Sequence, residues 1–213
     1  MGDSPRIRRL RSDYRSMQAL RGASTIVDFD VRDPCSDAPD AYLVRFRGTG
    51  AWKPRGSGND DVLLRDEHEV LIRLGANYPR TMPELSWKSP IFHPNISSSG
   101  FVCLGGYGTF WAPSLNLDEL CIMLWDMVRY ENFDVNSPYN REAALWARSQ
   151  QKFRFPLDSR PLRDQLPTRD LQSDAASSAP PPLAQAVPDI QFLDDVIEAE
   201  VVQESNSDIL IIE

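Results

Sequence analysis

Histidine, lysine and cysteine are scarce in this chain of 213 residues. There are two histidines, His68 and His93, and three lysines. None of the three cysteines forms a C-x-x-C pair, and no other pair of ligand residues has the spacing of a zinc site. An odd number of cysteines without a secretion signal favours free thiols in a reducing compartment, so we expect a cytoplasmic protein.

Long apolar runs and a broad basic surface are missing as well. No run approaches the roughly 18 apolar residues that a membrane span needs. The first residues, MGDSPRIRRL, are charged, and this predicts no secretory signal. Outside the first helix there is no basic stripe interleaved with aromatic residues. We therefore expect neither a membrane nor a nucleic acid as partner.

The net charge of −8 is distributed unevenly along the chain. Residues 164–213 contain eleven acidic residues and one arginine, so residues 1–163 carry a net charge of about +2. With 41% hydrophobic and 25% charged residues, the composition is that of a soluble globular protein. The sequence predicts a domain over residues 1–160 and a disordered acidic tail over 161–213, rich in Pro, Ser and Ala.

The periodicity of apolar residues predicts an α+β fold. An amphipathic helix is predicted over residues 4–21, with Ser4 as its cap. Four strands are predicted in TIVDFDV, AYLVRFRG, HEVLIRL and PELSWKSPIF, with a loop, GTGAWKPRGSGNDD, between the second and third. A buried central helix follows Asn116, and a C-terminal helix follows Asn140. This order predicts an antiparallel four-stranded meander sheet packed with three helices.

The first helix carries a basic face opposite its apolar stripe. This face is either an ordinary solvated surface or a docking surface for an acidic partner. Its residues include Arg6, Arg8, Arg9 and Arg11.

The segment IFHPNISSSGFVCLGG contains the most informative pattern of the chain. Asn95 precedes Cys103 by eight residues, and Trp111 follows Cys103 by eight. Cys103 lies between Val102 and Leu104, so the residues alone leave a buried apolar cysteine, a metal ligand or a nucleophile open. Cys121, in the middle of an apolar helix, is predicted to be core, and Cys35 to be an exposed loop thiol without a role.

Several motifs in this region resemble the active-site region of ubiquitin-conjugating enzymes. They are Tyr78-Pro79 with Pro83, His93-Pro94-Asn95, Gly100, Cys103-Leu104 and Trp111-Ala112-Pro113. The resemblance spans about residues 4–158. It implies the ubiquitin-conjugating fold and a transferase that needs no cofactor. Such an enzyme accepts a ubiquitin-like modifier from an activating enzyme as a thioester on Cys103 and passes it to an acceptor amine.

The chemistry of that reaction makes demands that the local sequence meets. A cysteine that carries an acyl group must be reached by two large partners, and the turn residues before Cys103 and Gly105, Gly106 and Gly108 after it leave room for an extended peptide. When an amine attacks the thioester, negative charge develops on the carbonyl oxygen. The amide of Asn95 is the nearby side chain suited to stabilise it.

The resemblance assigns further roles to residues around the site. It implies that His93 is structural, and the same is expected of Pro94, Trp111 and His68. An acidic residue or serine after the central helix orients the incoming lysine in the family. Asp134 is the candidate here with Ser137 as the alternative, and a plain turn role is equally open for both. The basic face of the first helix would be the dock for the activating enzyme.

Three positions depart from the family pattern. Arg80 stands where a hydrophobic residue often contacts a ligase, Ala112–Ser114 differ in the second ligase-facing loop, and Gly105-Gly106 replace the usual residues after Cys-Leu. A ligase would dock at Arg80 and Ala112–Ser114, and these departures disfavour the contacts that are usual in the family. The departures and the preference for Arg over Lys resemble a divergent or prokaryotic member.

Two other functions compete with this interpretation. A non-catalytic member of the fold would only bind a modifier, but such relatives typically lack the cysteine. A cysteine hydrolase using Cys103 and a histidine would need a third, orienting group, and none stands at a recognisable spacing.

In the tail, SDILIIE resembles segments that add a strand to a ubiquitin-like modifier, and a segment that merely self-associates or aggregates is the alternative. The chain does not end in Gly-Gly, so it is not itself predicted to be a modifier.

Overall fold

The computed structural model describes residues 2–54, 56, 61–104 and 111–165. Gly105, Gly106, Gly108 and the predicted tail beyond residue 165, with its SDILIIE segment, lie outside this part of the chain, so the predictions made for them remain predictions. The described elements are α1 (Pro5–Gly22), β1 (Val27–Val31), β2 (Ala41–Trp52), β3 (Leu63–Arg73), β4 (Glu84–Trp87), α2 (Leu117–Val128) and α3 (Arg141–Ser149).

The four strands form one antiparallel sheet in the order β1-β2-β3-β4. Each strand pairs with the next one in the sequence, as in the register Phe29 opposite Val44 and Val44 opposite Val70. Antiparallel neighbours need only short connections, so the meander follows directly from the turn residues between the apolar segments. The predicted α+β fold is confirmed.

One face of the sheet forms the core with α1 and α2. Tyr42, Val44 and Phe46 alternate along β2 and are fully buried, because side chains two residues apart share one face of a strand. The Phe46 ring stacks on Trp125 of α2, with ring centroids 6.1 Å apart. The thiol of Cys121 contacts the sulfur of Met17 in α1 at 3.6 Å. Cys121 is therefore a core residue, as predicted.

The helices begin where the sequence places their caps. The Ser4 hydroxyl accepts a hydrogen bond from the Ile7 backbone N–H at 3.3 Å. The Glu119 carboxylate accepts one from the Asn116 N–H at 2.7 Å. Each cap satisfies a backbone donor that has no partner inside its own helix.

The predicted loop after the second strand is wrong at its beginning. Instead of ending at Gly48, β2 continues to Trp52, with a shift of register between Arg47 and Gly50. The glycines there do not form a turn, and instead leave space for neighbouring side chains. A Cβ atom on Gly48 would lie 2.4 Å from the Trp125 ring. The sequence alone does not distinguish a glycine that accommodates a neighbouring side chain from a glycine that forms a turn.

A second, smaller core lies between α3 and the segments around Phe92 and Tyr130. The Tyr130 ring stacks on Phe155 with centroids 4.7 Å apart, and it meets Trp146 edge-on at 5.6 Å. The Tyr130 hydroxyl donates a hydrogen bond to the Phe92 carbonyl. This aromatic cluster supports the chain on both sides of the candidate site.

The packed structure extends a few residues past the predicted boundary at 160. Leu162 is buried, and the Gln165 N–H donates to the Ala23 carbonyl at 3.1 Å. A single apolar residue in a Pro- and Arg-rich stretch gives no periodic signal, so composition does not indicate this packing. None of the described helices is long and apolar enough to cross a membrane.

Gly100 is the position where the fold most clearly requires glycine. Its φ is +87°, and an added Cβ would lie 2.3 Å from the Trp87 carbonyl oxygen. We expect Gly100→Ala to lower the free energy of unfolding by about 1–3 kcal/mol from the backbone conformation alone. Urea denaturation measures this change.

Gly75→Ala is the matched control, because nothing lies within 4 Å of its added Cβ and its φ is outside the left-handed region. Equal, small effects of the two substitutions would contradict the close approach of Gly100 to Trp87.

Candidate active site

The His-Pro-Asn segment follows β4 and is buried at all three residues. The His93 Nδ1 accepts a hydrogen bond from the Asn95 backbone N–H at 3.1 Å. The Pro94 carbonyl accepts one from the Asn140 N–H at 2.9 Å, immediately before α3. His93 therefore stabilises the turn of the motif, and Pro94 attaches the motif to the start of α3.

The Asn95 side chain forms a two-bond clamp on the backbone of Asp134. Its Nδ2 donates to the Asp134 carbonyl at 2.9 Å, and its Oδ1 accepts from the Asp134 N–H at 2.7 Å. Asn95 is only 1% exposed. One Nδ2 hydrogen is used in this clamp, so one remains for any other acceptor. The predicted oxyanion donor is therefore first a residue that holds the loop after α2.

Cys103 is tied to the same asparagine through the backbone. The Cys103 N–H donates to the Asn95 carbonyl at 2.9 Å, and the neighbouring residues Ile96 and Val102 form an antiparallel bridge. Cys103 is half-buried, Cys121 is fully buried, and Cys35 is exposed. Burial also raises the pKa of the Cys121 thiol well above its usual value. Cys103 alone combines partial exposure with a bond to the Asn95 backbone.

Phe101 is an exposed aromatic residue close to the candidate nucleophile. Its exposed fraction is 68%, whereas Val102 packs against the core. Side chains alternate along an extended segment, so we expect Phe101 and Cys103 to lie on the same side of it. Sequence reasoning assigned no role to Phe101, although the alternation in GFVCL is a signal that could have indicated its exposure.

Both histidines are buried inside the domain. His93 is 0% exposed and packs edge-on against Tyr130, with centroids 4.9 Å apart. Burial lowers the pKa of His93 to about 3 and that of His68 to about 4. His68 lies within β3. A neutral imidazole that already accepts a backbone N–H is unsuited to act as a base.

Asp134 forms a turn with its carboxylate. The Asp134 Oδ1 accepts from the Asn136 N–H at 2.7 Å. This is the plain turn role that the sequence left open for this residue. Ser137, the alternative, is exposed in the same loop. A role of either residue toward an incoming lysine stays a prediction.

Trp111 connects two loops at the other end of α2. Its Nε1 donates to the Pro79 carbonyl at 2.6 Å, and its ring lies 6.0 Å from that of Tyr78. Arg80 and Ala112–Ser114, the residues named for ligase docking, are exposed on the two connected loops. The structure brings them near one another, but whether a ligase binds there remains a prediction.

Arg9 has an internal role that the sequence did not indicate. Its guanidinium contacts the fully buried Asp13 carboxylate at 2.8 Å and the Tyr78 hydroxyl at 3.1 Å. It also donates to the carbonyls of Pro113 and Leu115. Arg9 therefore fastens α1 to both loops, and its head group is not freely available to a partner.

The other arginines of the predicted docking face differ among themselves. Arg6 donates to the carbonyls of Leu74 at 2.9 Å and Gly75 at 3.3 Å, so it too is bound to its own domain. Arg8 is exposed, and Arg11 forms an ion pair with Asp37 at 2.7 Å near the surface. Helical periodicity could not distinguish these cases, because carbonyl partners distant in sequence leave no periodic signal.

No metal site is evident within the described ranges, 2–54, 56, 61–104 and 111–165. No group of three or more His, Cys, Asp or Glu side chains there could hold a metal ion.

Comparison with known proteins agrees with this fold. The sequence profile of the family described as ubiquitin-conjugating enzyme matches residues 52–157. Ubiquitin-conjugating enzyme E2-20 kDa of Schizosaccharomyces pombe is 31% identical over 157 residues, which cover 72% of this chain and 79% of that protein. Ubiquitin-conjugating enzyme E2 16 of the same organism is 28% identical over 148 residues, with 68% and 83% covered.

A solved structure shares the architecture. The structure of S. cerevisiae Ubc12 superposes with a TM-score of 0.54 at 22% identity, covering 71% of this chain and 76% of that one. At this identity the likeness supports the fold alone. Taken with the sequence relatives, it leads to a plain conclusion: the chain belongs to the ubiquitin-conjugating enzyme family.

The two buried histidines predict a loss of stability in mild acid. Their folded-state pKa values, about 3 and about 4, lie below the ordinary value of 6.5. Below pH 6.5 the unfolded chain therefore binds protons that the folded chain does not, and stability falls as pH falls. We expect a loss of about 2 kcal/mol per histidine between pH 7.5 and pH 5.

Urea denaturation at the two pH values measures this loss. The described carboxylates with shifted pKa, Asp158 and Asp164, have pKa values lowered from the usual 3.8, so neither the folded-state nor the unfolded-state pKa of these groups lies in this window. Equal stability at pH 7.5 and pH 5 would contradict the burial of neutral histidines.

Proposed function

We propose that this protein carries a ubiquitin-like modifier as a thioester on Cys103 and transfers it to an acceptor amine. The observation that supports this most directly is the partly exposed Cys103, bonded to the Asn95 backbone. Family membership points to the same chemistry. The modifier would come from an activating enzyme, and the relatives do not identify which modifier it is.

The proposed reaction has two acyl transfers. In the first, the Cys103 sulfur attacks the thioester carbonyl of the loaded activating enzyme. A new C–S bond forms, the old one breaks, and the thiol proton ends on the released sulfur. In the second, an amine nitrogen attacks the carbonyl, a C–N bond forms, and the Cys103 sulfur leaves as the amine loses a proton. Exchange of one thioester for another is nearly isoenergetic, so the first step needs little acid–base help.

Asn95 has a double role in this proposal. Its clamp on Asp134 fixes the amide plane and the loop that faces the site. Its second Nδ2 hydrogen is the candidate donor to the oxyanion of the second transfer. Donors of this type contribute roughly 10²–10³-fold to rate. Asp134 or Ser137 would then meet the incoming lysine from the clamped loop.

The docking surfaces of the proposed reaction follow from which arginines remain accessible. Arg8 is exposed on α1 and is the first candidate for contact with the activating enzyme. Arg11 is half-buried and paired with Asp3 and Asp37, so it would have to exchange these partners to take part. Arg6 and Arg9 would support that surface through their contacts with the loops. A ligase would meet Arg80 and Ala112–Ser114 on the joined loops.

Substitution of Cys103 tests the proposal itself. With a modifier, its activating enzyme and ATP, the wild-type protein is expected to form a conjugate that thiol reductants cleave. Cys103→Ser should give an ester that resists reductant, and Cys103→Ala should give none. The measurement is gel mobility with and without reductant across a panel of ubiquitin-like modifiers.

Cys35→Ser is the control for an exposed thiol away from the site, and it should behave as wild type. A conjugate on the Cys103→Ala variant would contradict the proposal. Full biological activity of the Cys103→Ala variant would also contradict the proposal, and it would favour a non-catalytic binding module. Turnover of small esters without an activating enzyme would favour a hydrolase.

Substitution of Asn95 separates its two roles. Asn95→Ala removes both bonds to Asp134 and leaves two part-buried backbone groups unpaired, so the free energy of unfolding should fall by about 1–3 kcal/mol. Discharge of the Cys103 thioester onto free lysine should slow by roughly 10²–10³-fold. Loading of Cys103 should stay near the wild-type rate, since that step needs less stabilisation.

Asn136→Ala is the matched control, an asparagine of the same loop whose side chain binds only Arg148 among the described residues. It should discharge at close to the wild-type rate. A folded Asn95→Ala variant that discharges normally would show that Asn95 serves the loop alone.

A further inference from the structure

The turn that ends α2 has a tyrosine at a position where helices usually have glycine. Among the described residues, Tyr130 is the only non-glycine residue with a positive φ, which is +59°. The Tyr130 N–H donates to the Met127 carbonyl at 3.1 Å, and the Glu131 N–H donates to the Asp126 carbonyl at 2.9 Å. These two bonds are those of a Schellman motif, whose left-handed residue is usually glycine because a Cβ atom is unfavourable there. The backbone conformation of Tyr130 is therefore strained.

The Tyr130 side chain makes contacts that compensate for this strain. It is buried, and its ring lies 5.3 Å from that of Phe133 and meets the His93 ring edge-on at 4.9 Å. Its hydroxyl donates to the Phe92 carbonyl. A glycine would close the same turn without strain and would make none of these contacts. Because residues held in such conformations cluster at functional sites, the side chain of Tyr130 is a candidate for a functional role.

Tyr130 is connected to both segments that the Asn95 clamp joins. On one side, the hydroxyl binds Phe92, which immediately precedes the His-Pro-Asn segment, and the ring packs on His93 itself. On the other side, the backbone of Tyr130 begins the loop that reaches Asp134 four residues later. The two bonds between Asn95 and Asp134 bridge these same segments. Tyr130 therefore helps to set the spacing across which the clamp forms.

We propose that Tyr130 is a positioning residue for the second acyl transfer, and that its hydroxyl, through the bond to Phe92, holds the Asn95 amide in the orientation that donates to the oxyanion. This inference rests on the proposed function of Cys103. Tyr130 is buried, acts through the clamp and takes no part in bond formation. Loading of Cys103 depends little on an oxyanion donor, so the effect of Tyr130 falls on discharge.

Removal of the hydroxyl alone tests the proposal. Tyr130→Phe keeps the ring and leaves the Phe92 carbonyl without its donor. We expect discharge of the preformed Cys103 thioester onto free lysine to slow about three- to tenfold, because small displacements of a catalytic group lower the rate steeply. Loading of Cys103 should stay at the wild-type rate. Both rates are measured at a temperature at which circular dichroism shows the variant to be fully folded.

Tyr42→Phe is the matched control. It removes the hydroxyl of another fully buried tyrosine, and that hydroxyl has no hydrogen-bond partner among the described residues. This variant should load and discharge at wild-type rates. A purely structural role of Tyr130 would slow loading and discharge alike, or neither of them, and either result for Tyr130→Phe would overturn the proposal.

A double-mutant cycle determines whether Tyr130 acts through Asn95. In the Asn95→Ala background the amide donor is absent, so Tyr130→Phe should cause no further slowing of discharge. The same three- to tenfold slowing in both backgrounds would mean that the two residues act independently, and the proposal would then be wrong. All four proteins are compared at a temperature at which each of them is folded.

Amide hydrogen exchange decides the question if Cys103 cannot be loaded at all. It is measured by NMR on the uncharged, full-length protein at the Asp134 N–H, which donates to the Asn95 side chain, and at the Leu120 N–H within α2. Tyr130→Phe should accelerate exchange at Asp134 about threefold or more relative to Leu120, whereas Tyr42→Phe should not. That result would support the positioning role of Tyr130 even though the proposed thioester function had failed. Equal acceleration at both amides, or none at Asp134, would overturn it.

Discussion

The clamp between the Asn95 side chain and the Asp134 backbone is the interaction on which the site depends. It pairs one amide with another at 2.9 and 2.7 Å in a buried position, so neither partner can turn away without leaving a polar group unpaired. The Asn95 backbone also receives the Cys103 N–H. One residue therefore sets the distance between the segment that carries the thiol and the loop that faces it.

An aromatic cluster around Tyr130 supports the segments that the clamp joins. Tyr130 contacts His93, Phe155 and Trp146 and donates its hydroxyl proton to the Phe92 carbonyl. The cluster joins α3 to the segments on both sides of the site and leaves Cys103 itself half-buried at the surface. This arrangement suits the proposed acyl transfer, because two large partners would have to reach one sulfur in turn.

Internal bonds of an arginine also hold the loops near the N-terminal end of α2. The Arg9 guanidinium links α1 to Tyr78 and to the loop after Trp111, with the buried Asp13 as its counter-ion. The surface expected to meet other proteins is thus held by internal bonds to carbonyls and a carboxylate. Arginine suits this position because its planar group can donate to several acceptors at once.

The sequence predicted the fold class, the helix caps at Ser4, Asn116 and Asn140, and the spacing of Asn95 and Cys103, since periodicity, caps and local motifs are short-range signals. It could not determine that Asn95 clamps Asp134, that Arg9 points inward, or that Gly48 makes room for Trp125. It also could not show that Lys88 and Ser97–Gly100 line the same groove. Those contacts join residues that are far apart in the chain or face each other across packed elements, and only the packing of the whole domain decides which of them meet.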